Sequence, residues 1–209
     1  MDNVKIFPNV FPIESLRKIR EKIHTMTFRY ISNTVNYANV VGDITNTQIQ
    51  DYSAMVNSLY HESLKVDADN AYELLINEFK QHLPNEFSGY TVRRMNINIV
   101  QNSPNYAYDK FSIPHVDDEY LNSGDEFKTI LFYVYDADGE TIFFNEKPSG
   151  DYLDPYSDNN INNRKFKIAQ EQKPVANTAV VFDSGQLHAS RPPKIAKERI
   201  VINLSLIHI

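Results

Sequence analysis

Tyr90-Thr91-Val92-Arg93-Arg94-Met95-Asn96-Ile97-Asn98-Ile99-Val100 is where the chain changes period. Ile97 and Ile99 alternate with Asn96 and Asn98, the repeat of two that sends successive side chains to opposite faces of a sheet. Phe127 to Tyr135 follows as a β-branched and aromatic run, and Thr141 to Phe144 is a shorter one. Thr178 to Phe182 and Arg199 to Ile207 complete the set. No helical pattern separates these segments, so a mainly antiparallel sheet rolled into a sandwich or barrel is expected. Asp136-Ala137-Asp138-Gly139 reads as a hairpin turn between two of the strands. A calcium loop is a poor reading of the same stretch, because the later ligands and closing Glu of an EF-hand are missing.

Upstream of Gly89 the period is helical. Ile13, Leu16, Ile19 and Ile23 recur at spacings of three and four behind Pro12, a residue suited to a helix start. A second helix is expected from about Asp67 to Leu83, capped by Asp67 or Asp69, lined by Ala71, Leu74, Leu75 and Phe79, and stopped by Pro84. Asn33 to Lys65 reads as loops with one short helix or strand. Residues 1–89 are thus expected as a helical support region and 90–209 as a β core, within a single domain spanning 1–209. The polar, turn-rich stretch 147–173 reads as a long loop, of the kind that often forms a lid or binding loop.

Composition narrows the function. The 209 residues carry 21 Lys and Arg against 27 Asp and Glu, a formal charge of -6, which argues against a protein that grips nucleic acid through its phosphates. There is no cysteine. Thiolate zinc sites, iron–sulfur clusters and cysteine nucleophiles are therefore excluded, and any metal must use His, Asp or Glu. Apolar runs fall far short of the ~20 residues of a membrane span. The N-terminal residues lack a basic head followed by an apolar stretch, so a soluble, cytoplasmic protein is expected.

One constellation carries chemistry. His115-Val116-Asp117 places an imidazole and a carboxylate two residues apart, hence on the same side of an extended segment. His188 follows the strand that ends Val180-Val181-Phe182-Asp183. Two His and one carboxylate on adjacent strands form the facial triad of non-haem Fe(II) oxygenases. Arg199 lies eleven residues after His188 and opens the last apolar strand. The turn Arg191-Pro192-Pro193-Lys194 would fold that strand back beside His188 and put a guanidinium near the metal. A buried Arg needs an anionic partner, and its planar fork suits a carboxylate. Blander readings exist for each residue: a surface His–Asp pair, a core histidine at 188, a salt bridge from Arg199 to Glu198 or Asp183, and core packing for Tyr133. His24, His61, His82 and His208 read as structural, and Asp118 and Glu119 beside the site either steer a cationic substrate or are simply solvated.

In this order, His115-x-Asp117, Gly139-Glu140-Thr141 with Phe143 and Phe144, Phe182-x5-His188 and then Arg199 with an apolar strand, the sequence resembles the 2-oxoglutarate/Fe(II) dioxygenases of the prolyl 4-hydroxylase-like branch. The resemblance covers about residues 90 to 207. It implies a double-stranded β-helix (jelly-roll) core. It implies that His115, Asp117 and His188 bind Fe(II), and that Arg199 takes the distal carboxylate of 2-oxoglutarate with help from Tyr133. Asn98 stands where some relatives carry a Tyr. The family departs from this chain at Asp138, where many members have a second Gly, and at Asn177, where many have Gly.

The activity that the resemblance implies is hydroxylation of a C–H bond on a peptidyl or small-molecule substrate, using O2 and releasing succinate and CO2. Two alternatives stand beside it. One is a non-enzymatic jelly-roll binding module, and the other is a cupin-like metal enzyme without 2-oxoglutarate. Arg199 discriminates among them, because only the co-substrate requires a cation deep in the barrel.

Overall fold

The computed structural model describes residues 4–32, 44–61, 71–117, 127–146 and 160–208. Among them are ten strands: β1 (Lys5–Pro8), β2 (Arg29–Ile31), β3 (Ala54–His61), β4 (Tyr90–Gln101), β5 (Phe127–Tyr133), β6 (Thr141–Phe144), β7 (Ile168–Gln172), β8 (Thr178–Asp183), β9 (His188–Ser190) and β10 (Glu198–His208). Two α-helices accompany them, α1 (Ile13–His24) and α2 (Tyr72–His82). The strands form a seven-stranded sheet in the order β1-β8-β5-β10-β4-β3-β2 and a three-stranded sheet in the order β7-β6-β9. Every pairing between named strands is antiparallel. This is the mainly β, antiparallel architecture expected from the strand pattern.

The period-two reading of β4 explains the layering. Met95 and Ile97 face outward and join Ile130 and Phe132 of β5 and Ile202 and Leu204 of β10. Leu16, Ile19 and Ile23 of α1 and Leu75 and Phe79 of α2 cover that face. Residues of the opposite parity, Leu131, Tyr133, Val180, Phe182 and Val201, pack with Phe143 of the small sheet. The helices therefore seal one face of the large sheet, and the other face is left to the space between the sheets.

Several expectations are corrected here. Residues 1–89 hold more than helices and loops: besides β3, the short strand allowed for within 33–65, β1 and β2 lie there, and the three add both edges to the large sheet. These strands are short or irregular, and a register shift between Ser58 and Tyr60 breaks the alternation that would have revealed β3. Helix α2 starts at Tyr72 with Ala71 before it and no side-chain cap; Asp67 and Asp69 lie outside the described residues. Ile13 is 72% exposed and does not share the buried stripe of α1.

The stretch 147–173 is not one loop, because Ile168–Gln172 is strand β7 paired with β6; residues 147–159 lie outside the described residues. Nor is Asp136–Gly139 a hairpin turn. It carries the chain from the large sheet to the small one, since β5 and β6 are in different sheets. Gly139 is required there. Its φ is +97°, and a Cβ would lie 2.8 Å from the Arg191 carbonyl oxygen. Asp138 accepts hydrogen bonds from the backbone N–H groups of Lys194, Ile195 and Ala196 at 2.7–2.8 Å, so it fastens the crossing to the 191–196 turn. Asn177 adopts φ 59°, the left-handed conformation that Asn tolerates.

Candidate metal and co-substrate site

His115 is not on a regular strand. A single antiparallel bridge to His188 holds it, with His115 N–H donating to the His188 carbonyl at 2.9 Å and the reverse bond at 3.0 Å. Asp117 N–H donates to the Ser184 carbonyl at 3.1 Å. Three backbone bonds thus bring two segments about seventy positions apart in sequence to one point. One ligand atom from each of His115, Asp117 and His188 lies within 4.8 Å of the others. The His188 Nε2–Asp117 Oδ2 separation is 3.6 Å.

Both imidazoles are held in one tautomer. His115 Nδ1 lies 3.0 Å from the Ile113 carbonyl and His188 Nδ1 lies 2.9 Å from the Gln186 carbonyl. A carbonyl only accepts, so each Nδ1 carries a proton and each Nε2 is the atom turned toward the cluster as a ligand. Burial, followed by the neighbouring His188, pushes the His115 pKa down to about 4, so the ring is neutral at pH 7. Burial works to raise the Asp117 pKa, but the positive fields of His188, Arg94 and His115 outweigh it and hold the pKa at about 2. Two imidazole nitrogens and one carboxylate, only 5% exposed at the Asp117 side chain, match the donor set of a first-row divalent metal with open positions.

Two residues that sequence reasoning missed secure the carboxylate. Arg94 donates from one terminal nitrogen to Asp117 Oδ1 at 3.1 Å and to its carbonyl at 3.2 Å. Asn203 Nδ2 lies 3.3 Å from both Asp117 oxygens. Their signal was parity. Arg94 pairs with Ser205 and Asn96 with Asn203 across β4 and β10, so all four share the inner face with Asn98 and Arg199. Asp118 and Glu119 lie outside the described residues.

Arg199 is 5% exposed and lies on that same face, opposite Val100. A terminal nitrogen donates to Thr141 Oγ1 at 2.7 Å. Its Nε is buried with no hydrogen-bond partner, and among the described residues no carboxylate pairs with it. The surface salt bridge weighed from sequence does not form, since Asp183 pairs with Lys128. The 191–197 turn does not lay β10 beside β9 either; it crosses from the small sheet to the large one. Arg199 meets the site through Thr141 of β6, a residue directly opposite Ser190 of β9.

Tyr133 is fully buried, donates to Thr141 Oγ1 at 2.8 Å, and has the Arg199 guanidinium 5.8 Å from its ring centre. Tyr52, missed in a segment read as loop, hydrogen-bonds Ser190 Oγ. Burial pushes both phenols up, and the Arg199 cation opposes it. Asn98 is half-buried on the inner face, opposite Val201. A buried cation with an unused donor, ringed by two phenols and a threonine hydroxyl, fits the carboxylate of a small dicarboxylate.

The remaining histidines have other partners. His24 bonds the Tyr135 hydroxyl at 2.9 Å, His82 lies 3.7 Å from Glu78, and the His208 ring packs on Tyr90. His61 ends β3 opposite Arg94. Arg191, placed in a turn by sequence, is buried and pairs with Glu171 at 2.8 Å and Glu140 at 3.5 Å. No helix among the described residues is long and apolar enough to cross a membrane.

No family model matches the sequence, and no curated protein matches it. Solved structures do match the fold. An oxidoreductase of the 2OG-Fe(II) oxygenase family from Burkholderia pseudomallei is 16% identical with a TM-score of 0.63, the match covering 100% of this chain and 86% of that one. A prolyl hydroxylase from Trichoplax adhaerens, solved with a hypoxia inducible factor peptide fragment, is 13% identical with a TM-score of 0.55, covering 100% and 84%. HygX from Streptomyces hygroscopicus, solved with nickel, 2-oxoglutarate and hygromycin B, is 10% identical with a TM-score of 0.57, covering 98% and 82%. The chain has the jelly-roll fold of the 2OG-Fe(II) oxygenases.

Proposed function

We propose that the protein is a 2-oxoglutarate- and Fe(II)-dependent oxygenase that hydroxylates a C–H bond of a small-molecule or peptidyl substrate. The observation that carries this reading is the pairing of two features in one inter-sheet space. His115, Asp117 and His188 converge, and Arg199 lies buried near them with an unused donor. A metal-only cupin-like site gives no reason to bury that guanidinium, and a vestigial binding module gives no reason to gather two imidazoles around one buried carboxylate.

His115, Asp117 and His188 would hold the iron, which together with 2-oxoglutarate and O2 supplies the oxidising power for hydroxylation, with succinate and CO2 as co-products. The protein's own residues do the rest. Ile113 and Gln186 carbonyls fix the imidazole tautomers, and Arg94 and Asn203 fix the carboxylate rotamer. Arg199, Thr141 and Tyr133 would bind the distal carboxylate of 2-oxoglutarate. Phe143, Phe182 and Leu131 keep that end of the space dry, which strengthens the ion pair.

Binding of 2-oxoglutarate and of 2-oxobutyrate, which lacks the distal carboxylate, to Mn(II)-loaded protein tests this reading. The expected result is at least tenfold preference for the dicarboxylate, abolished by Arg199→Ala. Equal affinity for the two acids would remove the co-substrate role of Arg199.

A further inference from the structure

The inner face of β4 and β10 holds polar atoms that neither the metal site nor the co-substrate site uses. Asn96 Oδ1, Asn203 Oδ1, Ser205 Oγ and Arg94 Nε are all buried with no hydrogen-bond partner. They are close to one another because Asn96 is directly opposite Asn203, and Arg94 directly opposite Ser205, on adjacent strands. Buried polar atoms without partners are few in folded proteins, and four on one patch mark a place that a ligand or ordered water would satisfy.

The anchoring of this cluster sets its chemistry. Asp117 can only accept, so Asn203 must turn its Nδ2 toward it, and its Oδ1 is left pointing elsewhere as an acceptor. Arg94 spends a terminal nitrogen on Asp117 and retains Nε as a donor. The patch therefore offers two carboxamide oxygens, one hydroxyl and one N–H, all on the side chains that grip Asp117 or on their direct cross-strand partners. A cation is disfavoured by the Arg94 charge. An anion is disfavoured by the two carboxamide oxygens and the neighbouring carboxylate. Ser58 of β3, directly opposite Asn96, is exposed, so the patch lies one strand in from solvent.

We propose that Arg94, Asn96, Asn203 and Ser205 form a substrate subsite for a neutral group that carries two hydrogen-bond donors and an acceptor: a primary carboxamide or a pair of hydroxyls. This deepens the oxygenase reading and rests on it, because the subsite matters only if the adjacent triad holds the reacting metal. The carboxamide is the fuller complement, its NH2 donating to Asn96 and Asn203 Oδ1 and its carbonyl accepting from Arg94 Nε or Ser205.

The test is ligand-observed proton relaxation with Mn(II)- and 2-oxoglutarate-loaded protein. The probes are acetamide, ethylene glycol and N,N-dimethylacetamide. Paramagnetic enhancement is expected for acetamide, for ethylene glycol or for both, and should be at least fivefold weaker for dimethylacetamide, which has no N–H. Asn96→Leu and Ser205→Ala should each bring the preferred probe down toward the dimethylacetamide level, while Mn(II) and 2-oxoglutarate affinities, read separately in the same samples, stay unchanged. Equal enhancement by all three probes, or selectivity surviving both substitutions, would overturn the subsite and leave the cluster to water. Failure of the wild type to bind Mn(II) or 2-oxoglutarate shows instead that the oxygenase reading is wrong, and the subsite falls with it.

Discussion

Arg94 and Asp117 form an ion pair at 3.1 Å between β4 and the segment after His115, with the carboxylate side chain 5% exposed and the guanidinium side chain 30% exposed. The contact joins a strand of the large sheet to the segment carrying His115 and Asp117, which has no strand pairing of its own beyond one bridge. In the proposed site Arg94 therefore positions the Asp117 carboxylate without being a ligand itself.

From that geometry, Arg94→Met should weaken metal binding about 10- to 100-fold, the usual cost of losing a partner behind a ligand. Asn203→Leu should act in the same direction with a smaller effect, because its contacts are longer at 3.3 Å. Competition titration with Mn(II) measures both. Unchanged affinity in Arg94→Met would mean that the backbone alone fixes Asp117.

Arg199→Ala should abolish 2-oxoglutarate turnover while metal binding persists. The substitution removes the one buried guanidinium that no described carboxylate neutralises. Parallel titrations of metal and 2-oxoglutarate separate the two effects, and loss of both together would point to a folding defect instead.

Arg191→Ala should behave differently, lowering stability by roughly 2–3 kcal/mol, since it strands Glu171 and Glu140 at a partly exposed site. Chemical denaturation gives the number. The variant that folds should still bind 2-oxoglutarate, because Arg191 points to Lys110 and the small-sheet acids.

Asp138→Ala should cost about 1–3 kcal/mol, because three backbone N–H groups lose a charged acceptor. Burial acts to raise its pKa, but the N–H groups of Ala196, Ile195 and Lys194 prevail and depress it below the ordinary 3.8. A depressed carboxyl stabilises the folded state above its unfolded pKa and loses that contribution as pH falls through the folded value. The wild-type advantage over Asp138→Ala should therefore be full at pH 6 and shrink as pH drops below about 4. Thermal melts of both proteins from pH 6 to pH 3 read this directly, and a difference independent of pH would contradict it.

What the sequence shows of this fold follows from where the alternation is clean. β4, β5, β8 and β10 are long enough for a period of two, and they carry the inner-face residues Tyr133 and Arg199 at readable parity. The edge strands are not readable. β1 is four residues ending in Pro8, β2 is three, and β7 is the polar run Ile-Ala-Gln-Glu-Gln. β6 is buried on both faces and so shows no alternation. His115, Asp117, His188 and Arg199 stand out because their residue types and order are distinctive. Arg94, Asn203 and Tyr52 do not, because their roles depend on which strands become neighbours. That β10 lies between β4 and β5 is a property of topology, and only that order turns Arg94 and Asn203 toward Asp117.

Anaerobic titration with Fe(II) followed by 2-oxoglutarate tests the central claim most directly. If His115, Asp117 and His188 hold iron beside Arg199, a weak visible charge-transfer band appears only when both Fe(II) and 2-oxoglutarate are present. His115→Ala, Asp117→Ala and His188→Ala should each lose it. Iron binding with no such band would favour a metal enzyme without 2-oxoglutarate, and no iron binding at all would contradict the metal site itself.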